Sequence, residues 1–397
     1  MTKISMKWIF IQLCVFIVLV SGDLAAEEAR TLSIGYLELT NDPRYAALHG
    51  YARIQFKSRS RPRAGAELAM ADSRIIGRAL SVMFNLEPAQ GETSEQLVSE
   101  IERLAAKKNV RFFLIDAPAE IIREVSEKTK TQDVVLFNVS EPSDNLRAGD
   151  CASHLMHTIA SRAMLSDALA QYLVAQNWRR ALVLKGPLPE DAAIARAFEN
   201  SARRFGIDIV GSQDFVLGKD PRVREKNNIR LMTSGFEYDV VFLADTEGEF
   251  GRYVPYQTQL PRPVVGTEGL IAAEWHWAWE RHGAPQLNRR FAKRAKRRMQ
   301  PADWAAWIAV TSIVESVVRT KSVEFDAISA YLHGEDLTLD GYKGTPVSYR
   351  SWDNQLRQPI LLHTHNAVIG RAPLERFLHP TQYMDTLGFD QRDAKCR

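Results

Sequence analysis

The chain has 397 residues, 45% of them hydrophobic and 25% charged, with a formal net charge of +3. That balance excludes a disordered or low-complexity protein, and so small a positive surplus lacks the basic footprint of a nucleic-acid binder. Three cysteines, at positions 14, 151 and 396, offer no zinc-type spacing.

The first element is an export signal. Lys3 and Lys7 precede an apolar run from Trp8 to Val20, and small residues follow at Gly22 and Ala25-Ala26. A charged start, an apolar stretch of about 7–15 residues and a small-residue end read as a secretory signal peptide over residues 1–26. The run is too short for a comfortable membrane span, which needs about 20 residues. The cut follows Gly22 or Ala26, and Ile11-Gln12-Leu13 makes Cys14 a poor lipidation site. Removing residues 1–26 leaves 371 residues and lowers the net charge to +2. A chain of that length favours two lobes. In an oxidising compartment Cys151 and Cys396 either pair or remain free thiols. The expected location is the periplasm.

From Thr31 strand-like and helix-like segments alternate. Thr31–Leu37 is β-rich, Arg63–Leu80 is alanine-rich and helical, and Ser81–Leu86 reads as a strand. Thr93 and Gln96 fit a capping box, and Leu97, Ile101 and Leu104 share the following helix face. Val110–Ile115 is an apolar strand ending at Asp116, Ala119–Lys130 a helix and Asp133–Phe137 the next strand. The polar stretch Asp144–Ser153 then crosses to a second set of alternations. Leu165, Leu169, Tyr172 and Leu173 mark a helix, and Ala181–Leu184 a strand. Ile194, Phe198, Ala202 and Phe205 line a helix stopped by Gly206. Ile207–Val210, Asp239–Ala244 and Val264–Val265 read as strands, and Arg222–Ser234 as a helix. Ala273–Arg281, Asn288–Arg298 and Pro301–Thr320 read as helices. The β-like runs Thr345–Tyr349 and Ile360–Thr364 form a late hairpin, and the tail from Leu374 has little periodicity. Apolar strands separated by amphipathic helices predict an α/β fold of mostly parallel sheets covered on both faces.

This order resembles the type I periplasmic solute-binding proteins of ABC transporters, in the leucine/isoleucine/valine-binding lineage, over about residues 31–385. It rests on the element order, the polar crossing, the helix with Asp303-Trp304-Ala-Ala-Trp307 and the late hairpin. One branch is more similar still: the solute-binding proteins encoded with pyrroloquinoline-quinone-dependent alcohol oxidation systems. Its likeness is carried by Arg63-Ala-Gly-Ala-Glu-Leu-Ala, Asp150-Cys-Ala-Ser-His, Ser161-Arg-Ala-Met-Leu-Ser-Asp-Ala-Leu-Ala-Gln, Gly266-Thr-Glu-Gly-Leu and the Trp275–Trp279 cluster. The resemblance implies two lobes with a ligand cleft between them, residues 31–150 plus about 271–344 and residues 151–270 plus about 345–385, followed by a tail at 386–397. It implies a small-molecule solute tied to that pathway, hinge closure, and docking on a permease or on periplasmic dehydrogenase components. The sequence leaves the oligomeric state open.

The chain departs from amino-acid-binding relatives. Where those have a glycine-rich segment after the first strand, it has Tyr36-Leu-Glu38 and Asp42-Pro-Arg44-Tyr45. Where they place Ser and Thr hydroxyls for a carboxylate, it has Asp116-Ala-Pro118 and Asn138-Val-Ser140. An anionic Asp116 repels a carboxylate.

Ligands of open parallel sheets bind beyond the carboxyl ends of the strands, which selects Tyr36, Asp116, Asn138, Ser140, Lys185, Asp245 and Thr267. Asp116 reads either as a helix N-cap or as a ligand contact. Asp245, Glu247 and Glu249 read as a solvated turn or as a site for cations, hydroxyls or amines, without completing an EF-hand. On a helix Trp275 and Trp279 share a face and Trp277 points elsewhere; at least one reads as core or hinge packing and another as a cleft wall, with Trp275 and Trp277 the candidates for ligand contact. Trp304 and Trp307 read as packing. Asn288–Met299 carries Arg289, Arg290, Lys293, Arg294, Lys296, Arg297 and Arg298 with no acid, a solvated face or a docking surface for an acidic partner or anionic lipid, with Arg289, Arg290, Lys293, Arg294 and Arg297 the docking candidates. No nucleophile elbow, P-loop or H-E-x-x-H occurs, so neither an enzyme nor a bound cofactor is expected.

Overall fold

The computed structural model describes residues 30–46, 56–57, 59–149, 151–218 and 220–392. The expected signal peptide and Cys396 lie outside the described residues. Cys151 is disulfide-bonded.

The first sheet is parallel throughout. Strands β1 (Arg30–Leu39), β2 (Val82–Gly91), β3 (Phe112–Asp116), β4 (Val135–Asn138) and β5 (Leu155–His157) lie in the order β2-β1-β3-β4-β5. The pleat divides each strand between two cores. Ile34, Tyr36, Phe112, Leu114, Val135 and Phe137 face the helix Pro301–Thr320, while Leu37, Phe113, Ile115 and Leu136 face the helices Ser94–Lys108 and Ala119–Thr129. Burial on both faces is why these strands read as unbroken apolar runs.

The second sheet repeats the design. β6 (Arg180–Lys185), β7 (Asp208–Asp214), β8 (Val240–Ala244) and β9 (Val264–Gly266) run parallel in the order β7-β6-β8-β9. Ala181, Val183, Val240 and Phe242 pack on the helices Arg162–Ala175 and Pro189–Phe205, and Leu182, Leu184, Val241 and Leu243 fill the other face. Gly206 ends the second helix at φ +70°, as its position predicts. The α/β fold of two parallel sheets flanked by helices is therefore as expected.

Several local readings are corrected. Ala273–Arg281 is not a helix. It holds the end of β10 (Ile271–Ala273) and then a turn closed by Trp279 N–H to the His276 carbonyl at 3.0 Å. The indole N–H groups of Trp275 and Trp279 are spent on Asn288 Oδ1 and the Tyr342 carbonyl, both at 2.9 Å, so tertiary partners override the helical spacing. The basic helix runs Ala284–Ala295 and stops at Lys296, which is left-handed at φ 58°. Arg222–Ser234 is broken into single turns, the last capped by Asn228. Thr345–Tyr349 and Ile360–Thr364 do not pair with each other. β11 (Ser348–Tyr349) pairs with β12 (Leu356–Arg357), whereas β13 (Ile360–His363) lies between β10 and β14 (Val368–Ala372).

Three segments pass between the sheets: 157–160, 271–275 and 355–360. They are tied by buried polar groups. Gln355 Nε2 donates to the His157 and Ile159 carbonyls at 3.1 and 3.0 Å, Gln358 Nε2 to Thr158 O at 2.8 Å, and Ala160 N–H to Glu274 Oε1 at 2.9 Å. Lys343 donates to Gln358 Oε1 at 2.7 Å and lies 3.4 Å over the Trp304 ring. Burial pushes the Lys343 ammonium far down and the Glu274 carboxyl up, each opposed by the other's charge. The tail is anchored as well: Asp385 bonds Arg350 and Arg357 at 2.9 and 2.8 Å, and Leu387 joins the second core.

Candidate functional site

The carboxyl ends of β1, β3 and β4 are in register, with Glu38 beside Asp116 and Ile115 beside Asn138. Asp116, fully buried, is the centre of this rim. It accepts from the Tyr45 and Tyr36 hydroxyls at 2.7 and 3.3 Å and from Arg44 and Arg61 at 3.0 and 3.3 Å. A carboxylate has about four acceptor sites, and all are used. Asp116 caps no helix: the helix from Ala119 starts behind Pro118 without a side-chain cap. Burial, reinforced by Asp116, pushes the Tyr36 and Tyr45 phenols far up. Arg44 also bonds Asp42 Oδ2 at 2.6 Å and Ser140 Oγ at 3.2 Å. Although burial opposes its charge, the Asp42 hydrogen bond and Asp116 hold it more firmly protonated than a free guanidinium. Asn138, also fully buried, accepts from Glu141 N–H at 2.9 Å and donates to Glu141 O at 2.8 Å.

The second rim lies at the ends of β8 and β9. The buried Asp245 carboxylate accepts the Gly248 and Gly251 N–H groups at 2.9 and 2.7 Å, so it shapes its own loop. Thr267 Oγ1 accepts from Asp245 N–H at 2.9 Å and donates to Leu243 O at 3.2 Å. Lys57, from the segment that follows the first rim, reaches across to the Asp245 and Thr267 carbonyls at 2.9 and 3.0 Å. Lys185 pairs with Asp214 at 3.4 Å, away from the cleft. Among the described residues no three carboxylate, imidazole or thiol groups are placed to hold a metal ion.

Between the rims lies a cleft of about 1420 Å³. Of the eight sequence-selected binding residues, Ser140, Thr267, Trp275 and Trp277 line it; Tyr36, Asp116, Asn138 and Asp245 sit behind it. Trp275 is 1% exposed and stacks on Trp304 at 6.2 Å, so only its edge reaches the cleft. Trp277 lies under Arg298, whose guanidinium carbon is 3.6 Å from the ring centre. Beside it His276 stacks on His363 at 4.0 Å. Burial, then His363, His365 and Arg298, push His276 down to about 4, so that imidazole is neutral at pH 7. Sequence reasoning missed this corner, because His363 and Arg298 are distant in the chain and no motif joins them.

Of the five basic residues singled out for docking, three have partners. Arg290 pairs with Asp72 at 3.2 Å, Arg294 with Glu67 at 3.9 Å, and Arg297 clamps the buried Asp303 at 2.6 and 2.7 Å. Arg289 and Lys293 are exposed.

No family model matches the chain, and no curated protein matches it in sequence. Solved structures match its fold closely. An ABC transporter substrate-binding protein from Sphaerobacter thermophilus superposes with a TM-score of 0.71 at 14% identity, over 91% of this chain and 100% of that one. A branched chain amino acid ABC transporter periplasmic ligand-binding protein from Burkholderia xenovorans gives 0.67 at 12% identity, over 86% and 95%. A solute-binding protein of an ABC transporter from Rhodopseudomonas palustris, in complex with 3,4-dihydroxybenzoic acid, gives 0.64 at 10% identity, over 86% and 97%. The chain therefore has the two-lobed fold of the periplasmic binding proteins.

Proposed function

We propose that this chain is the periplasmic substrate-binding component of an ABC transporter, exported by its N-terminal signal. Its two lobes, 31–150 plus about 271–344 and 151–270 plus about 345–385, close on a small solute by bending at the three crossing segments. The observation that carries this reading is the 1420 Å³ cleft between the carboxyl edges of two parallel sheets. The fold likeness supports it, as does a cleft whose wall holds indoles and imidazoles. Ser140, Thr267, Trp275 and Trp277 would touch the solute. Tyr36, Asp116, Asn138 and Asp245 would hold the rims in shape. The amino-acid pose of the leucine-binding lineage does not transfer, because Arg44 and Tyr45 stand on the first rim. The sequence stretches shared with the alcohol-oxidation branch favour a solute linked to that pathway: an alcohol, its oxidation product, or the quinone cofactor.

A second reading is a periplasmic interaction or assembly factor for the dehydrogenase system. It is favoured by exposed Arg289 and Lys293 on the helix Ala284–Ala295. A thermal-shift panel of branched amino acids, short alcohols, aldehydes, acids and pyrroloquinoline quinone separates the two. A ligand at about 100 times its Kd adds about 2.7 kcal/mol to the folded state. A shift from one class supports solute binding; silence across the panel from a well-folded protein supports the interaction factor.

A further inference from the structure

Charge is unevenly distributed over the cleft. Seven cationic side chains line it against four carboxylates. Most of the cations are neutralised where they stand. Arg162 bonds Glu190 at 2.6 Å, Lys57 lies 3.4 Å from Glu268, Arg44 is held by Asp42 and Asp116, and Arg297 by Asp303. Arg59 feels Glu247. Three, Arg59, Arg298 and Arg252, have no ion pair among the described residues, and the last two are seated on aromatic rings. Arg298 follows the basic helix on the first lobe, and Arg252 follows β8 on the second.

Both are built alike. The Arg298 guanidinium carbon lies over Trp277, 3.6 Å from the ring centre. The Arg252 guanidinium lies 3.9 Å over Phe56 and 4.6 Å over Tyr253, and its buried Nε has no hydrogen-bond partner. Stacking satisfies the faces of a guanidinium and leaves its in-plane N–H donors free. Those donors form the fork that matches a carboxylate or similar oxyanion. The ring beneath also fixes the plane in which the anion is received, so a flat acid that enters in that plane meets indole and imidazole surface at the same time. Trp277 is held for this by Asn288 Nδ2, which donates to its carbonyl at 3.0 Å.

We propose that the cleft selects a planar acid with two anionic groups, one gripped by Arg298 on Trp277 and the other by Arg252 on Phe56. This rests on the solute-binding reading and names its ligand class. The zwitterionic amino acids are disfavoured, since three of the four lining carboxylates, Glu141, Glu190 and Glu268, already have cations and the fourth, Glu274, is buried against the Ala160 N–H.

The test is calorimetric titration of the protein with benzene-1,3-dicarboxylate, with its neutral diamide of the same shape, with flexible glutarate and with leucine. The dicarboxylate is expected to bind at least tenfold more tightly than the diamide and than glutarate. Arg298→Gln and Arg252→Gln should each weaken it tenfold or more, and Arg298→Lys, which keeps the charge but loses the fork, should fall between. Equal affinity for acid and diamide overturns the proposal, as does indifference to both glutamine variants. Binding of leucine or the diamide with no dependence on either arginine overturns the anion while leaving solute binding intact. Silence from these four compounds and from the thermal-shift panel overturns both.

Discussion

The two rims of the cleft have the same origin, the carboxyl edge of a parallel sheet, and opposite chemistry. On the first, Asp116 is saturated by Arg44, Arg61, Tyr36 and Tyr45. On the second, Asp245 turns its carboxylate into its own loop, while Arg252 next to that loop keeps an unpartnered Nε. A charged residue at a strand end is thus a ligand group only when lone pairs or donors are left after the protein has used its own. The same contrast recurs between neighbours: Arg297 is consumed by Asp303, and Arg298 is not.

The largest effect is expected on the first rim. Asp116→Ala leaves two guanidiniums without their buried acceptor, and breaking such a network costs about 3–5 kcal/mol. Urea unfolding of the empty protein should show that loss. An unchanged midpoint combined with lost solute binding would move Asp116 to the ligand.

Next is the neighbouring pair. Arg297→Gln leaves Asp303 buried without its fork and should cost about 2–3 kcal/mol, read from the same unfolding curves. Arg298→Gln, at an exposed position, should stay within about 0.5 kcal/mol. Equal costs would erase the distinction between them.

His157 gives a pH-dependent effect. Burial, helped by Arg147, holds this fully buried imidazole well below its usual range. The folded state keeps it neutral while the unfolded chain takes up a proton below about pH 6.5, so stability falls as pH drops, by about 1.4 kcal/mol per unit for one proton. His157→Gln should flatten the pH dependence of the unfolding free energy below pH 6.5 by one proton. Asp167 acts in the opposite sense: burial pushes it up to about 6, so its protonation favours the fold as pH falls. Comparing variant with parent cancels that contribution. The smallest effect is reserved for the basic helix. Arg289→Glu with Lys293→Glu should change stability by about 0.5 kcal/mol or less and leave solute affinity untouched, and should abolish partner capture only if that face docks.

Much of the fold was legible because both sheets are buried on two faces, which writes each strand as a solid apolar run. The helix over Leu165–Leu173 and the stop at Gly206 follow from local spacing and φ. What was illegible depends on distant partners. The Trp275–Trp279 spacing satisfies a helix, yet each indole finds its acceptor elsewhere, on Asn288 and Tyr342. The two late β-runs look like one hairpin, but β13 is claimed by β10. In the site, strand-end position located Ser140 and Thr267 at the cleft, and it located Asp116 too, but nothing local revealed that Arg44 and Tyr45 would fold back to saturate it. The Arg298–Trp277 and Arg252–Phe56 stacks carry no signature in spacing at all.

The central claim is that the lobes close on a solute held in the cleft. Small-angle scattering of the protein, alone and saturated with whichever panel compound raises its melting temperature most, tests it directly. A smaller radius of gyration is expected in the presence of that compound, with the change abolished when Trp277 and Arg298 are replaced together. A stabilising compound that leaves the radius of gyration unchanged, or that acts equally on the double variant, contradicts it.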